Sequence, residues 1–118
     1  MVNEFNTAKA LGSGDLQVFS TPSMIALMES TCASSVSSFL ETEKGTVGTR
    51  VDVAHVAATP VGMLVRCESE LTQIDGRKLV FSVRAYDDAG LIGQGQHERF
   101  IIDNVRFFQK AQAKLSGK

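Results

Sequence analysis

The chain has 118 residues, 43% hydrophobic and 21% charged, with 12 lysines and arginines against 13 aspartates and glutamates. That length fits one domain over residues 1–118 and suffices to bury a core without staples. A formal charge of −1 with no basic patch excludes an electrostatic binder of nucleic acid or anionic membrane.

No apolar run approaches the ~18 residues of a membrane span. The segment Met1 to Asn6 lacks the basic and apolar regions of a signal peptide, so the expected setting is the cytoplasm. Residues 1–20 are mixed, and Gly12-Ser13-Gly14-Asp15 reads as a loop. Thr21-Pro22 then marks a helix start, with the threonine hydroxyl as N-cap and proline at the first helical position. Ile25, Met28, Glu29, Cys32, Ala33, Val36, Phe39 and Leu40 recur at helical spacing, which predicts a buried helix to about Leu40.

Thr46 to Ile102 reads as strand. Val51, Val53, His55 and Ala57 share one face, opposite Arg50 and Asp52. Thr59-Pro60-Val61-Gly62 breaks this strand. Met63, Val65, Cys67, Ser69 and Leu71 alternate with polar residues, and Asp75-Gly76 predicts a type I′ hairpin turn. Leu79, Phe81, Val83 and Ala85 form the next apolar face, and Asp87 to Gly90 turns again. The last strand puts Gly93, Gly95, His97, Arg99 and Ile101 on one face, and residues 103–115 predict a short helix carrying Val105, Phe108 and Leu115. The order predicts an α+β layer, one helix lying against an antiparallel sheet.

Cys32 and Cys67 stand outside any CxxC pattern and read as buried thiols. His55 and His97 lack metal-ligand spacing, so no metal site is expected. Gly93-Gln94-Gly95 lacks the third glycine and the following helix of a dinucleotide loop. Glycines on an inner strand face instead let a helix or a ligand approach closely. No GxSxG elbow is present, which excludes a serine α/β-hydrolase.

Three residues stand out chemically. Glu29 interrupts the apolar stripe, so its carboxylate must find a partner, reach solvent or shift its pKa. His55 sits on the valine face of its strand, as a satisfied core residue or as a group able to move protons near neutrality. Thr21 lies where a helix N-terminus favours developing negative charge. Thr21 and Glu29 are ~12 Å apart along the helix axis. They therefore flank an extended site or meet partners from a second subunit.

Val18-Phe19-Ser20-Thr21-Pro22-Ser23-Met24-Ile25-Ala26-Leu27-Met28-Glu29, Val47-Gly48-Thr49, His55-Val56-Ala57-Ala58-Thr59-Pro60-Val61-Gly62, Asp75-Gly76-Arg77-Lys78-Leu79 and Gly93-Gln94-Gly95-Gln96-His97-Glu98-Arg99 carry a resemblance. In this order and spacing the chain resembles the hotdog-fold thioesterases, in the fluoroacetyl-CoA thioesterase branch, over about Gly12 to Phe108. The resemblance implies a long central helix wrapped by an antiparallel sheet of four to five strands, with a short C-terminal helix. It implies a catalytic set of Thr21, Glu29 and His55, with Gly48 and Arg99 contacting substrate.

The implied reaction is hydrolysis of a small or medium acyl-CoA to free acid and CoA. Thr21 would attack or orient water, His55 would shuttle protons, and Glu29 would act as base or nucleophile, with oxyanion donors from the helix N-terminus. CoA is part of the substrate, and no cofactor or metal is implied. The resemblance also implies a homodimer with active sites at the subunit interface, with further pairing of dimers left open. The alternative is a non-catalytic acyl-CoA binding module.

Two departures from the family pattern matter. Family members carry a first strand before the segment matching Val2 to Thr7, and this sequence begins almost at that point. The fluoroacetyl-specific enzyme carries a phenylalanine-bearing lid before the helix, where this chain has Gly-Ser-Gly-Asp. A generic short or medium acyl group is therefore expected.

Overall fold

In the computed structural model, which describes residues 1–117, a one-turn helix (α1, Ala8–Leu11) precedes a 17-residue helix (α2, Thr21–Ser37). Four strands follow: β1 (Lys44–His55), β2 (Arg66–Asp75), β3 (Lys78–Asp87) and β4 (Gly90–Asp103). A final helix (α3, Asn104–Gln112) runs into a 3-10 turn at Ala113–Ser116. The strands form one antiparallel sheet in the order β1-β4-β3-β2. No helix of the described residues is long and apolar enough to cross a membrane.

The helix buries Met24, Met28, Cys32 and Val36, an i, i+4 row, against Leu79, Phe81, Val83, Ala85 and Ile92 of the sheet. Each buried Met, Val, Leu, Phe or Ile among them contributes roughly 1.5–3 kcal/mol. This row lies to one side of the stripe read from sequence. Glu29 therefore falls on the flank of the buried face, with its side chain 42% exposed in the single chain.

Several local expectations change. Ser20, not Thr21, caps α2: its backbone is extended and its Oγ accepts from Ser23 N–H at 3.1 Å. Thr21 is then the first helical residue, which leaves its hydroxyl free. The helix ends at Ser37 rather than near Leu40, and Phe39 is exposed. The stretch before the Gly12–Asp15 loop holds α1, capped by Thr7 Oγ1 and closed by Gly12 at φ 71°. In the β2–β3 hairpin, Gly76 has φ 61° and no non-glycine residue of the turn has positive φ. A type I′ turn needs two left-handed residues and is thus excluded.

The inner-face glycines do what their position suggests. A Cβ on Gly93 would collide with Met24 of the helix, and one on Gly95 would collide with the β1 backbone at Asp52 and Val53. One glycine admits the helix and the other a neighbouring strand.

One irregularity matters for the site. The β1–β4 register shifts between Gly48 and Arg50. Side chains alternate faces along a strand, so Gly48 and Thr46 would otherwise point away from Val51, Val53 and His55. The bulge at Thr49 restores them to the helix side, opposite Arg99 and Ile101.

Candidate active site

The N-terminus of α2 is fixed by the chain on either side of it. Phe19 N–H donates to Thr59 O at 2.8 Å, and Ser20 N–H donates to Asn6 O at 2.9 Å. Thr59 is fully buried, and its hydroxyl donates to Asp87 Oδ2 at 2.7 Å. Asp87 Oδ1 accepts from Ala89 and Gly90 N–H in the β3–β4 turn. The Thr59 hydroxyl and those amides hold the Asp87 carboxyl below the ordinary carboxylate range. The sheet end thereby anchors the residues that present Thr21.

His55 closes β1, across from Gly93, and both Val56 and Ala57 N–H donate to Ile92 O. There the imidazole meets the helix start: Thr21 Oγ1 lies 2.8 Å from His55 Nδ1. His55 Nε2 is shielded from solvent and has no hydrogen-bond partner among the described residues. Burial pushes the His55 pKa down, against a weaker opposing effect of a backbone hydrogen bond to Ala57. The imidazole is thus kept as a neutral base. An open cavity of about 370 Å³ adjoins this pair, lined by both residues with Phe19, Ala57 and Ala58.

A second cluster lies two helical turns along. Arg99 is 7% exposed and fully engaged. Its Nε donates to Thr46 Oγ1 at 2.8 Å, its Nη2 to Thr46 O at 2.9 Å, and its Nη1 to Glu29 Oε2 at 3.2 Å. The same Nη1 lies 3.1 Å from Nε2 of the buried His97, whose Nδ1 is 2.8 Å from Arg50 O. Gly48 faces this cluster. A Cβ there would come within 2.5 Å of Glu29 Oε2, 3.1 Å of His97 Cε1 and 3.3 Å of Arg99 Nη1.

The five residues singled out from sequence thus fall into two groups in one chain: Thr21 with His55, and Glu29 with Gly48 and Arg99. Thr21 finds its imidazole within its own chain. The α2 N-terminus offers fewer oxyanion donors than expected. Pro22 has no N–H, Ser23 N–H is taken by Ser20 Oγ, and Met24 N–H by Ser20 O. Thr46 and His97 were not anticipated. The signal for His97 was its place two residues before Arg99 on the same inner face. Nothing in the alternation pattern could place Thr46, which needs the bulge.

The family model for fluoroacetyl-CoA-specific thioesterases, FlK, matches residues 2–105. The chain belongs to that family. It is 40% identical over 98 residues to the fluoroacetyl-CoA thioesterase of Streptantibioticus cattleyicolor, an alignment covering 83% of this chain and 70% of that protein. It is also similar to the crystal structure of a point mutant of the fluoroacetyl-CoA-specific thioesterase FlK in complex with fluoroacetate and CoA. That match has 35% identity and a TM-score of 0.91, over 96% of this chain and 93% of the other. A thioesterase superfamily member from Thermus thermophilus matches at 25% identity and a TM-score of 0.88, over 100% and 90% of the two chains.

This family member is therefore a hotdog-fold acyl-CoA thioester hydrolase. Among its described residues no group of three His, Cys, Asp or Glu side chains is placed to hold a metal ion.

Proposed function

We propose that this protein, as a single hotdog domain, hydrolyses a small or medium acyl-CoA in the cytoplasm without a cofactor, using Thr21, His55 and Glu29. The observation that carries the residue assignment is the 2.8 Å contact between Thr21 Oγ1 and His55 Nδ1. An imidazole held neutral by burial and bonded to a hydroxyl is an acceptor for that hydroxyl's proton. Hydrolysis adds water across the C–S bond: oxygen goes to the carbonyl carbon and a proton to the CoA sulfur. His55 takes the proton of Thr21, or of a water that Thr21 orients, and returns it to the departing sulfur.

Glu29 is the second oxygen base, and Arg99 holds its carboxylate. The fork of Arg99 on Thr46 fixes the guanidinium, and the bare Cα of Gly48 lets the Glu29 carboxylate sit close against the strand beside it. Glu29 acts either on water or on the carbonyl directly.

The two groups come together across a dimer. β1 is a 12-residue edge strand whose outer side is unpaired in the single chain. Such an edge is a pairing surface. Antiparallel pairing of β1 with its own copy about an axis near Val51 brings His55 of one protomer beside Gly48 of the partner subunit. Thr21 and His55 from one chain then face Glu29 and Arg99 from the other, and one dimer holds two such sites.

The test is complementation. Glu29→Gln and Thr21→Ala are each expected to be folded and inactive in a thiol-release assay over acyl-CoAs of varied chain length. Mixed and re-equilibrated, they should recover up to about a quarter of wild-type activity, since half the dimers are mixed and each mixed dimer has one intact site. Full activity in Glu29→Gln overturns the assignment, and no recovery on mixing overturns the shared site. Absence of thiol release from every acyl-CoA by the wild type would favour the binding module.

A further inference from the structure

The chain carries a second cavity, of about 580 Å³, at the far end of the sheet from His55. It lies between the tip of the β2–β3 hairpin, the end of β4 and α3. Its lining includes Lys44, Arg77, Arg106 and Lys110, with Ile101 and Phe107 as apolar surface. Asp103 is the one carboxylate of the lining. It sits 3.8 Å from Lys44 Nζ, and its Oδ1 accepts from Arg106 N–H as the α3 cap. Arg77, Arg106 and Lys110 have no carboxylate within 4.0 Å among the described residues. A chain of net charge −1 thus gathers four cations and one anion around one cavity.

We propose that this cavity seats the nucleotide end of the acyl-CoA substrate, its phosphates held by Lys44, Arg77, Arg106 and Lys110 and its adenine lying against Phe107. The inference rests on the thioesterase reading above and adds where the chain holds the part of the substrate that does not react. Two facts support it. First, the nucleotide end is the polyanionic part of the substrate, and Arg99, the cation nearest the proposed acyl site, is buried and already engaged by Thr46, Glu29 and His97. The phosphates need other cations. Second, Lys44 stands four residues from Gly48 on β1, a separation of about 13 Å. That is a span for an extended pantetheine arm running along the strand. Arg106 and Lys110 lie one helical turn apart on α3, so both point to the same side.

Exposed cations of this kind contribute through binding, not chemistry, so the readout is KM. The triple variant Arg77→Ser, Arg106→Ser and Lys110→Ser is assayed on an acyl-CoA and on the same acyl group carried by pantetheine, which lacks the nucleotide. The expected result is a KM for the acyl-CoA raised about tenfold with kcat within about twofold, and a wild-type KM on the pantetheine thioester. Added salt should raise the wild-type KM for acyl-CoA and leave that of the variant nearly flat. An unchanged KM for acyl-CoA, or an equal rise on both substrates, overturns the proposal. If the wild type hydrolyses neither substrate, the function has failed instead. Calorimetry with adenosine 3′,5′-bisphosphate then decides the cavity separately: binding by the wild type that the variant loses supports it, and no binding by the wild type overturns it.

Discussion

Arg99 Nη1 lies 3.1 Å from His97 Nε2 on the same face of β4. A guanidinium has only donors, so Nε2 must be the accepting nitrogen of that ring. Nδ1 then carries the hydrogen and donates to Arg50 O at 2.8 Å. His97 is thereby a positioning residue that steadies the arginine beneath Glu29. Long-range proton–nitrogen NMR at about pH 8 should show His97 as the Nδ1–H tautomer. An Nε2–H tautomer would remove this role.

His55 should set the acid limb of the pH profile. Burial disfavours its imidazolium, so the folded pKa lies below the ordinary value of about 6.5. The base is lost only as pH falls through that lowered value, so kcat/KM should hold through neutrality and drop below about 6.5. Stability follows the same sign. The unfolded chain takes up the proton first, so the His55 contribution is present above about 6.5 and is lost as pH falls toward the folded value. An acid limb above 7 would exclude His55 as the base.

Gly48→Ala and Gly95→Ala should fail in different ways. At Gly48 the new Cβ meets the tip of Glu29, a flexible side chain that can swing aside. Stability should change by less than about 1 kcal/mol, while kcat/KM falls by about 10²-fold as the carboxylate is displaced. At Gly95 the new Cβ meets β1 backbone, which cannot yield without separating strands. That variant should lose about 1–3 kcal/mol in chemical denaturation. Equal unfolding midpoints for the two variants would contradict the packing described.

The thiols should be inert in the folded protein. Burial, then the neighbouring Cys67, pushes the Cys32 pKa up to about 11, and burial likewise raises that of Cys67. Thiolate is the reactive form. An aromatic disulfide reagent at about pH 8 should therefore label neither cysteine at an appreciable rate until denaturant is added. Rapid labelling of the native protein would show that one thiol is accessible. The same inertness keeps the protein's own thiols out of the CoA-release signal.

Much of this protein was legible in its sequence, because the signals are local. Alternation marked the four strands, and Thr21-Pro22 marked the start of the central helix. A carboxylate in an apolar stripe and a histidine on a valine face drew attention to Glu29 and His55 without any structure. The order of motifs around those residues pointed to the family. What the sequence could not assign were outcomes of competition between neighbours. Ser20 and Thr21 are both good caps, and the extended backbone at Ser20 decides that its hydroxyl takes the cap and leaves that of Thr21 for His55. The bulge after Gly48 is invisible to a period-two pattern, yet it alone turns Thr46 and Gly48 toward Arg99. Of the partners of Arg99, Thr46 and Glu29 lie 53 and 70 residues away. Contacts across such separations are made by strand register and helix placement, which only the folded chain determines.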